Sequence, residues 1–430
     1  MMLAMLGPVC SFGQASAKVP AAKVEVPFII SYWWGVPLAE TTLERYKEIA
    51  DCGFNVAFPA CDIGWDEKID GSPANDADNI KFLDLCQKVG IKGMIWAGMP
   101  FGDWSAPSPE ETLKIQQSLD AKIAKFSSHP ALSGYFVADE PGVDKFGRLA
   151  AINQYLLKKD PKHLPYINLL PNYAGHPDWK GPAYEQSVAK YIDEVKPALL
   201  SWDHYRQMFE GGDESFYWCN LEIMRKLTLK AKIPMIQIIV SLKHMGYREC
   251  SEADLRWQVY TSLAYGSRGI MYFTYWDVPG LAWADAPALM TMAGKKDVKW
   301  EYAKKINHRI ANLGPTMMKL TSTGVYCTDP LPPGTIGLAA SAPVKKAEGG
   351  AMVIGCFKSP KGSTCIIAVN RSFGGKITAK LTMDKIFVST SELSQETGKF
   401  LAVVPLKANV LEVPLEAGEG RLFLLNGRAQ

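Results

Sequence analysis

Between residues 28 and 312 the apolar positions keep changing their period. Short runs in which nearly every residue is apolar alternate with longer segments whose apolar residues return every three or four positions. The first pattern predicts a buried strand and the second an amphipathic helix. The predicted strands are 28–34, 54–60, 92–98, 132–141, 165–170, 198–205, 234–242 and 269–276. The predicted helices are 41–52, 79–89, 109–126, 146–158, 184–195, 220–231, 252–265 and 300–312. In the first helix Leu43, Tyr46, Ile49 and Ala50 share one face, and Gly53 closes it. Helices repeatedly finish at Gly or Pro just ahead of a short apolar run, the punctuation of parallel βα units. Eight such units predict a closed (β/α)8 TIM barrel over 25–315. A doubly wound open sheet is the alternative, but no glycine-rich phosphate turn follows the first strand.

After Pro315 the texture changes to short alternating runs at 351–357, 365–370, 377–383, 410–413 and 421–425. Gly, Pro, Ser and Asn turns separate them, which predicts a small antiparallel β-sandwich over 320–430. At the other end, an apolar stretch at 2–9 and the small residues Ala15-Ser16-Ala17 read as an export signal over 1–17. Periplasmic or extracellular location is the corresponding expectation. No other stretch is long and apolar enough to cross a bilayer.

Composition narrows the function classes. The 430 residues are 47% hydrophobic and 21% charged, with 47 basic residues nearly balancing 44 acidic ones. No basic run is interleaved with aromatics, so a nucleic-acid partner has no electrostatic support. The nine cysteines show no metal-site spacing, and His204 and His244 have no third ligand at a suitable distance along the chain. Cys356 and Cys365 flank Ser359-Pro360-Lys361-Gly362, and a tight turn there predicts that they face each other across a hairpin, where export would let them oxidise.

In a barrel the carboxyl ends of the strands converge on one face, so candidate chemistry is collected there. The strand 132–141 is apolar from Tyr135 to Ala138 and then delivers Asp139 and Glu140. Two acids leaving a core strand are costly without partners, which makes Glu140 the first catalytic candidate. The other strand ends supply Trp33, Trp34, Asp62, Trp65, Trp96, Asn172, Asp203, His204, Tyr205, Trp276 and Asp277, with Gln237 inside the seventh strand. A bowl of acids and indoles, with no phosphate cradle, metal cluster or nucleophile elbow, fits a neutral polyhydroxylated ligand and calls for no cofactor. Cleaving a glycosidic bond needs one carboxyl to protonate the departing oxygen and a second to attack the sugar or activate water. Glu140 has the longer reach into the bowl and is the predicted donor.

The chain resembles glycoside hydrolases of the large (β/α)8 clan that includes family 42 beta-galactosidases and endo-beta-glucanases. The resemblance rests on Gly134-Tyr135-Phe136-Val137-Ala138-Asp139-Glu140-Pro141, on the helix and Gly-Ile-x-Tyr-Phe strand within 255–276, and on Ala417-Gly418-Glu419-Gly420-Arg421-Leu422-Phe423-Leu424. It implies an acid/base at Glu140 and a nucleophilic Glu at the end of the seventh strand. That strand contains no Glu, and Gln237 sits closest. Either the second carboxylate comes from Glu249, Glu252, Asp277 or, preferred here, Asp203, which stands in Trp202-Asp203-His204-Tyr205 between groups able to orient it, or the site is not that of a retaining glycosidase. A non-catalytic carbohydrate-binding barrel is the competing class.

Overall fold

In the computed structural model, residues 24–33, 35–59, 75–98, 106–174, 181–206, 214–277 and 287–427 are described. The segment 1–17, Trp34, Asp62 and Trp65 lie outside them. The parallel strands are β1 (Ile29–Tyr32), β2 (Val56–Ala57), β3 (Lys92–Trp96), β4 (Leu132–Asp139), β5 (Leu164–Leu169), β6 (Leu200–Asp203), β7 (Met235–Val240) and β8 (Gly269–Phe273). Between and after them run α1 (Leu43–Asp51), α2 (Asp76–Val89), α3 (Pro109–Phe126), α4 (Phe146–Lys159), α5 (Gly181–Val195), α6 (Glu214–Ala231), α7 (Glu252–Ala264) and α8 (Val298–Met317). The strands form one eight-stranded parallel sheet in which β1 pairs with β8, and β8 through β2 follow in descending order. This is the (β/α)8 barrel.

The seam between β1 and β2 has no ladder of its own; Asn55 closes it. Its backbone N–H donates to the Ile30 carbonyl at 3.0 Å. Its side chain accepts the Ile30 N–H at 2.8 Å and donates to the Phe28 carbonyl at 2.8 Å. The amide thereby does the pairing that a longer β2 would do. Asn55→Ala is expected to cost about 1–2 kcal/mol, because Asn55 is exposed and water partly replaces what it holds. Urea denaturation measures this.

Helix starts are set by local chemistry. Ser108, Asn75 and Ser251 each accept the backbone N–H of the residue three positions on, while the acid at that position reaches back to the cap, a full capping box. Helix α8 runs past the predicted stop at 312, through Pro315, to Met317. Gly314 is pressed on the Phe28 ring, where a Cβ would stand 2.8 Å away, so tertiary packing carries the helix over its own breakers.

The C-terminal part holds β9 (Thr321–Cys327), β10 (Val344–Glu348), β11 (Met352–Lys358), β12 (Thr364–Asn370) and β13 (Ile377–Met383). It continues with β14 (Phe387–Glu392), β15 (Val404–Pro405), β16 (Val410–Leu415) and β17 (Gly420–Gly427). Two antiparallel sheets result, β10-β13-β16 and β15-β14-β17-β12-β11-β9. Ile354, Cys356, Ile366 and Ala368 on one face of the larger sheet pack with Leu381, Val413 and Leu415 of the smaller one. Val353, Phe357, Cys365, Ile367 and Leu422 on its other face join the barrel core. A sheet buried on both faces reads as a continuous apolar run, as residues 352–357 do. β9, β10 and β14 were not legible because Gly, Lys, Ser and Thr interrupt their apolar pattern, and β15 because two residues are too few to show one.

Helix α7 is the joint. Its residues from Leu255 to Ala264 are buried with the exception of Arg256, because the barrel covers one side and the sandwich the other. Gly355 and Gly418 make the close approach possible: a Cβ at either would lie 2.3 Å from a backbone oxygen of the α7 residues Ala264 or Ala253.

One expectation is corrected here. Cys356 pairs with Ile366 and Cys365 with Phe357, so the two thiols sit one register position apart. Adjacent positions on a strand face opposite sides. Cys356 accordingly lies in the sandwich core and Cys365 in the core shared with the barrel, and both are free. The hairpin loop is one residue longer than the sequence reading allowed, with Lys358 opposite Thr364 as the last pair.

Candidate active site

The bowl above the barrel encloses a cavity of roughly 280 Å³ lined by Trp33, Asp139, Glu140, Asn168, Tyr173, Asp203, Tyr205, His244, Tyr247 and Phe273, among others. Strand β4 supplies two of its acids in succession, against the rule that consecutive strand residues face opposite sides. Two local departures allow this. The β4–β5 register slips between Phe136 and Ala138, leaving Val137 as an extra residue, the kind of bulge that re-aims side chains. Glu140 then takes a left-handed conformation at φ 44°, unusual for a residue with a Cβ, while its N–H donates to the Asn168 carbonyl at 2.9 Å.

Asn168 organises the acids. Ser201 Oγ, itself 2.7 Å from the Tyr166 hydroxyl, donates to Asn168 Oδ1 at 3.1 Å and so fixes which way the amide points. Asn168 Nδ2 then donates to Asp139 Oδ1 at 3.0 Å and to Asp203 Oδ1 at 2.9 Å. Asp203 and Glu140 are hydrogen-bonded to each other through their side chains. Three carboxyls are thus gathered around one amide, and no Lys or Arg is among the described lining residues.

Burial raises all three acids above the usual carboxylate range. For Asp139, burial is followed by the charge of Glu140, with Asn168 opposing. For Asp203, burial is followed by the charges of Glu140 and Asp139. Glu140 is raised by burial, and its hydrogen bond from Asp203 works the other way. Asp139 and Glu140 keep accessible surface because they open on the bowl, whereas Asp203 is only 6% exposed beneath them. Protein atoms crowd the first two on every other side, and that crowding governs their ionisation. Two bonded carboxyls cannot both ionise cheaply, so Asp203 and Glu140 hold a proton between them.

Trp33, Asp139, Glu140, Asp203 and Tyr205 therefore meet in the bowl. The other predicted site residues within the described structure stand apart. His204 is buried behind Asp203, bonded through Nδ1 to Asn220 Oδ1 at 2.7 Å; burial pushes it down to about 4 and keeps it neutral. Gln237 is fully buried, donating to the His204 carbonyl at 3.2 Å and accepting from Ser262 at 2.6 Å. Asn172 braces α6 by donating to the Phe216 carbonyl at 2.9 Å. Trp96 packs edge-on against Phe136 with ring centroids 4.5 Å apart. Strand β8 stops at Phe273, three residues short of the predicted end, so Phe273 faces the bowl and Trp276 lies under Arg45 at 4.9 Å. Asp277 accepts N–H groups from Ala288 and Met292 and braces a loop. Glu249 pairs with Lys299 and Glu252 with Arg256, which removes both from the search for a second carboxylate.

Asn168, Tyr173, His244, Tyr247 and Phe273 also line the cavity and were not singled out from the sequence as site residues. Asn168 had a signal, since an amide inside an otherwise apolar core strand must find partners. Tyr173 and Tyr247 come from loops whose path no local pattern gives. Among the described residues no group of three or more His, Cys, Asp and Glu has an arrangement that could hold a metal ion.

No protein-family model matches the chain, and no curated protein matches it. Solved structures do. A glycoside hydrolase family 5 protein from Bacteroides vulgatus ATCC 8482 aligns over 96% of this chain and 93% of its own, at TM-score 0.56 and 14% identity. A protein described as a glycoside hydrolase aligns over 94% and 93% at TM-score 0.54 and 13% identity. A family 39 glycoside hydrolase from Bacteroides cellulosilyticus WH2 aligns over 93% and 81% at TM-score 0.51 and 12% identity. At such identities the likeness establishes a shared fold, barrel and β-domain together.

Proposed function

We propose that this protein hydrolyses O-glycosidic bonds in a β-linked oligo- or polysaccharide, with Glu140 as the proton donor. The observation that carries this reading is the left-handed Glu140 at the exit of β4, opening on the bowl and raised toward neutrality by its surroundings. Glu140 gives its proton to the departing oxygen as the bond to the anomeric carbon breaks, and water supplies the new hydroxyl. Asp203, preferred from the sequence as the second carboxylate, takes a different part in this reading. It is bonded to Glu140 from below and serves to keep a proton at the pair. Asp139, also open to the bowl, is the carboxylate left to receive the proton of water. The glycosidase names of the structural neighbours support the reaction class. Incubating the protein with a panel of β-linked glycans and following reducing ends tests it; no turnover of any member would oppose it.

Three carboxyls with no Lys or Arg among the described lining select against anionic sugars. A β-glucuronide is expected to give kcat/KM at least about tenfold below the β-glucoside with the same aglycone. Steady-state kinetics on the pair checks this, as it does for galacturonide and galactoside.

A second reading, a carbohydrate-binding barrel without turnover, is favoured by one observation: the three acids all come from the β4 and β6 side of the bowl, and no acid among the described lining residues comes from the segment after β7. Glycan binding without hydrolysis distinguishes it.

The proposal includes export, supported by the apolar stretch and small residues within 1–17. Amino-terminal sequencing of the protein recovered from its producing cell is expected to begin at Lys18.

A further inference from the structure

No acid among the described residues stands where β7 leaves the barrel, yet that wall of the bowl is polar. After β7 the chain makes a tight turn in which the Tyr247 N–H donates to the His244 carbonyl at 2.7 Å. The turn brings Tyr247 back over the cavity, edge-on to Tyr205 with ring centroids 5.4 Å apart. Its hydroxyl lies 2.9 Å from the hydroxyl of Tyr173, which arrives from the exit of β5.

The direction of that bond follows from the surroundings of Tyr173. Burial raises the Tyr173 phenol and its bond to Tyr247 raises it further, whereas the same bond works to lower Tyr247, as when Tyr173 donates and Tyr247 accepts. A buried hydroxyl hydrogen needs an acceptor, and the Tyr247 oxygen is the one within reach. A phenol carries a single hydrogen. Having accepted from Tyr173, Tyr247 keeps its own hydrogen for whatever occupies the bowl. Burial first, then the charges of Asp203 and Glu140, hold the Tyr247 phenol above its usual range, so it stays a neutral donor.

We infer that Tyr247 contacts the substrate, donating a hydrogen bond to an oxygen of the bound sugar, and that Tyr173 is the positioning residue that aims it. The relay runs from the Tyr173 hydroxyl to the Tyr247 hydroxyl. It occupies the wall left without an acid and rests on the carbohydrate reading above.

The test uses the full chain with Glu140→Gln, so that ligand is bound without being consumed. The probes are β-1,4-linked oligosaccharides of glucose, xylose, mannose and galactose, followed by calorimetry. For the probe that binds best, Tyr247→Phe is expected to weaken binding about tenfold, and Tyr173→Phe about threefold because the remaining hydroxyl loses its aim. The double variant is expected to bind no worse than Tyr247→Phe alone, since both changes cut one relay. Unchanged binding by Tyr247→Phe, or a double loss equal to the product of the two single ones, overturns the inference. Tyr173→Phe leaves Tyr247 in place and carries the test by itself should the other variant fail to fold. Probes bound or cleaved by the parent protein with indifference to Tyr247 sink only this inference; probes neither bound nor cleaved sink it together with the carbohydrate reading.

Discussion

Replacing Glu140 with Gln is expected to lower kcat/KM for an alkyl glycoside about 10³-fold while leaving glycan binding nearly intact and raising the melting temperature. The loss is that of a positioned proton donor. Gln matches Glu in shape and still bonds to Asp203, so the bowl keeps its form. The gain in stability has a separate cause: one of three crowded carboxyls disappears, and with it the cost of holding like groups around Asn168. Glu140→Gly removes the same carboxyl and also relieves the left-handed backbone at φ 44°, which is worth about 1 kcal/mol more. A variant that is more stable and inactive is the signature of a site whose geometry is maintained against the preference of the fold. Thermal unfolding and steady-state kinetics on the two variants measure both effects.

Asp203→Asn is expected to lower kcat/KM about 10²-fold and to move the alkaline limb of the pH profile to lower pH. Glu140 and Asp203 titrate as a pair, and the upper step of such a pair is high because a second charge must form beside the first. With Asn at 203 that step is gone, and Glu140 loses its proton earlier. Stability follows the same protons. All three acids have folded-state values above their unfolded ones. Below the ordinary carboxylate range both states are protonated and the cluster costs nothing. As pH rises from the ordinary carboxylate range up to the raised values the folded state binds more protons than the unfolded chain, so stability falls with pH over that window. The stabilisation by Asp203→Asn is therefore expected to be small near pH 4 and larger near pH 8. A gain independent of pH would contradict the shared proton.

The barrel was legible because its parallel strands are buried on both faces and its helices on one, so their periods differ sharply. Glu140 was legible for a related reason, since two acids after Tyr135-Phe136-Val137-Ala138 have no business in a core strand without a task. Their arrangement was not. Nothing in the sequence shows that Val137 bulges, that Glu140 turns left-handed, or that Asp203 lies under Glu140 rather than across from it. Trp276 and Trp96 were misplaced because an indole at a strand end packs as readily into a helix–strand interface as into a bowl. Tyr247 depends on a tight turn that doubles back after β7, and Cys365 on a single added residue in a hairpin loop. Registers and turns of that kind are decided by contacts far apart in the chain.

The most direct test of Glu140 as proton donor is the ratio of kcat/KM between the native protein and Glu140→Gln along a series of glycosides whose leaving groups run from dinitrophenol to methanol. A good leaving group departs without help, so the ratio is expected to stay within about tenfold for the dinitrophenyl glycoside and to climb toward about 10³ for the methyl glycoside. A ratio that stays flat across the series would mean that Glu140 does not protonate the departing oxygen.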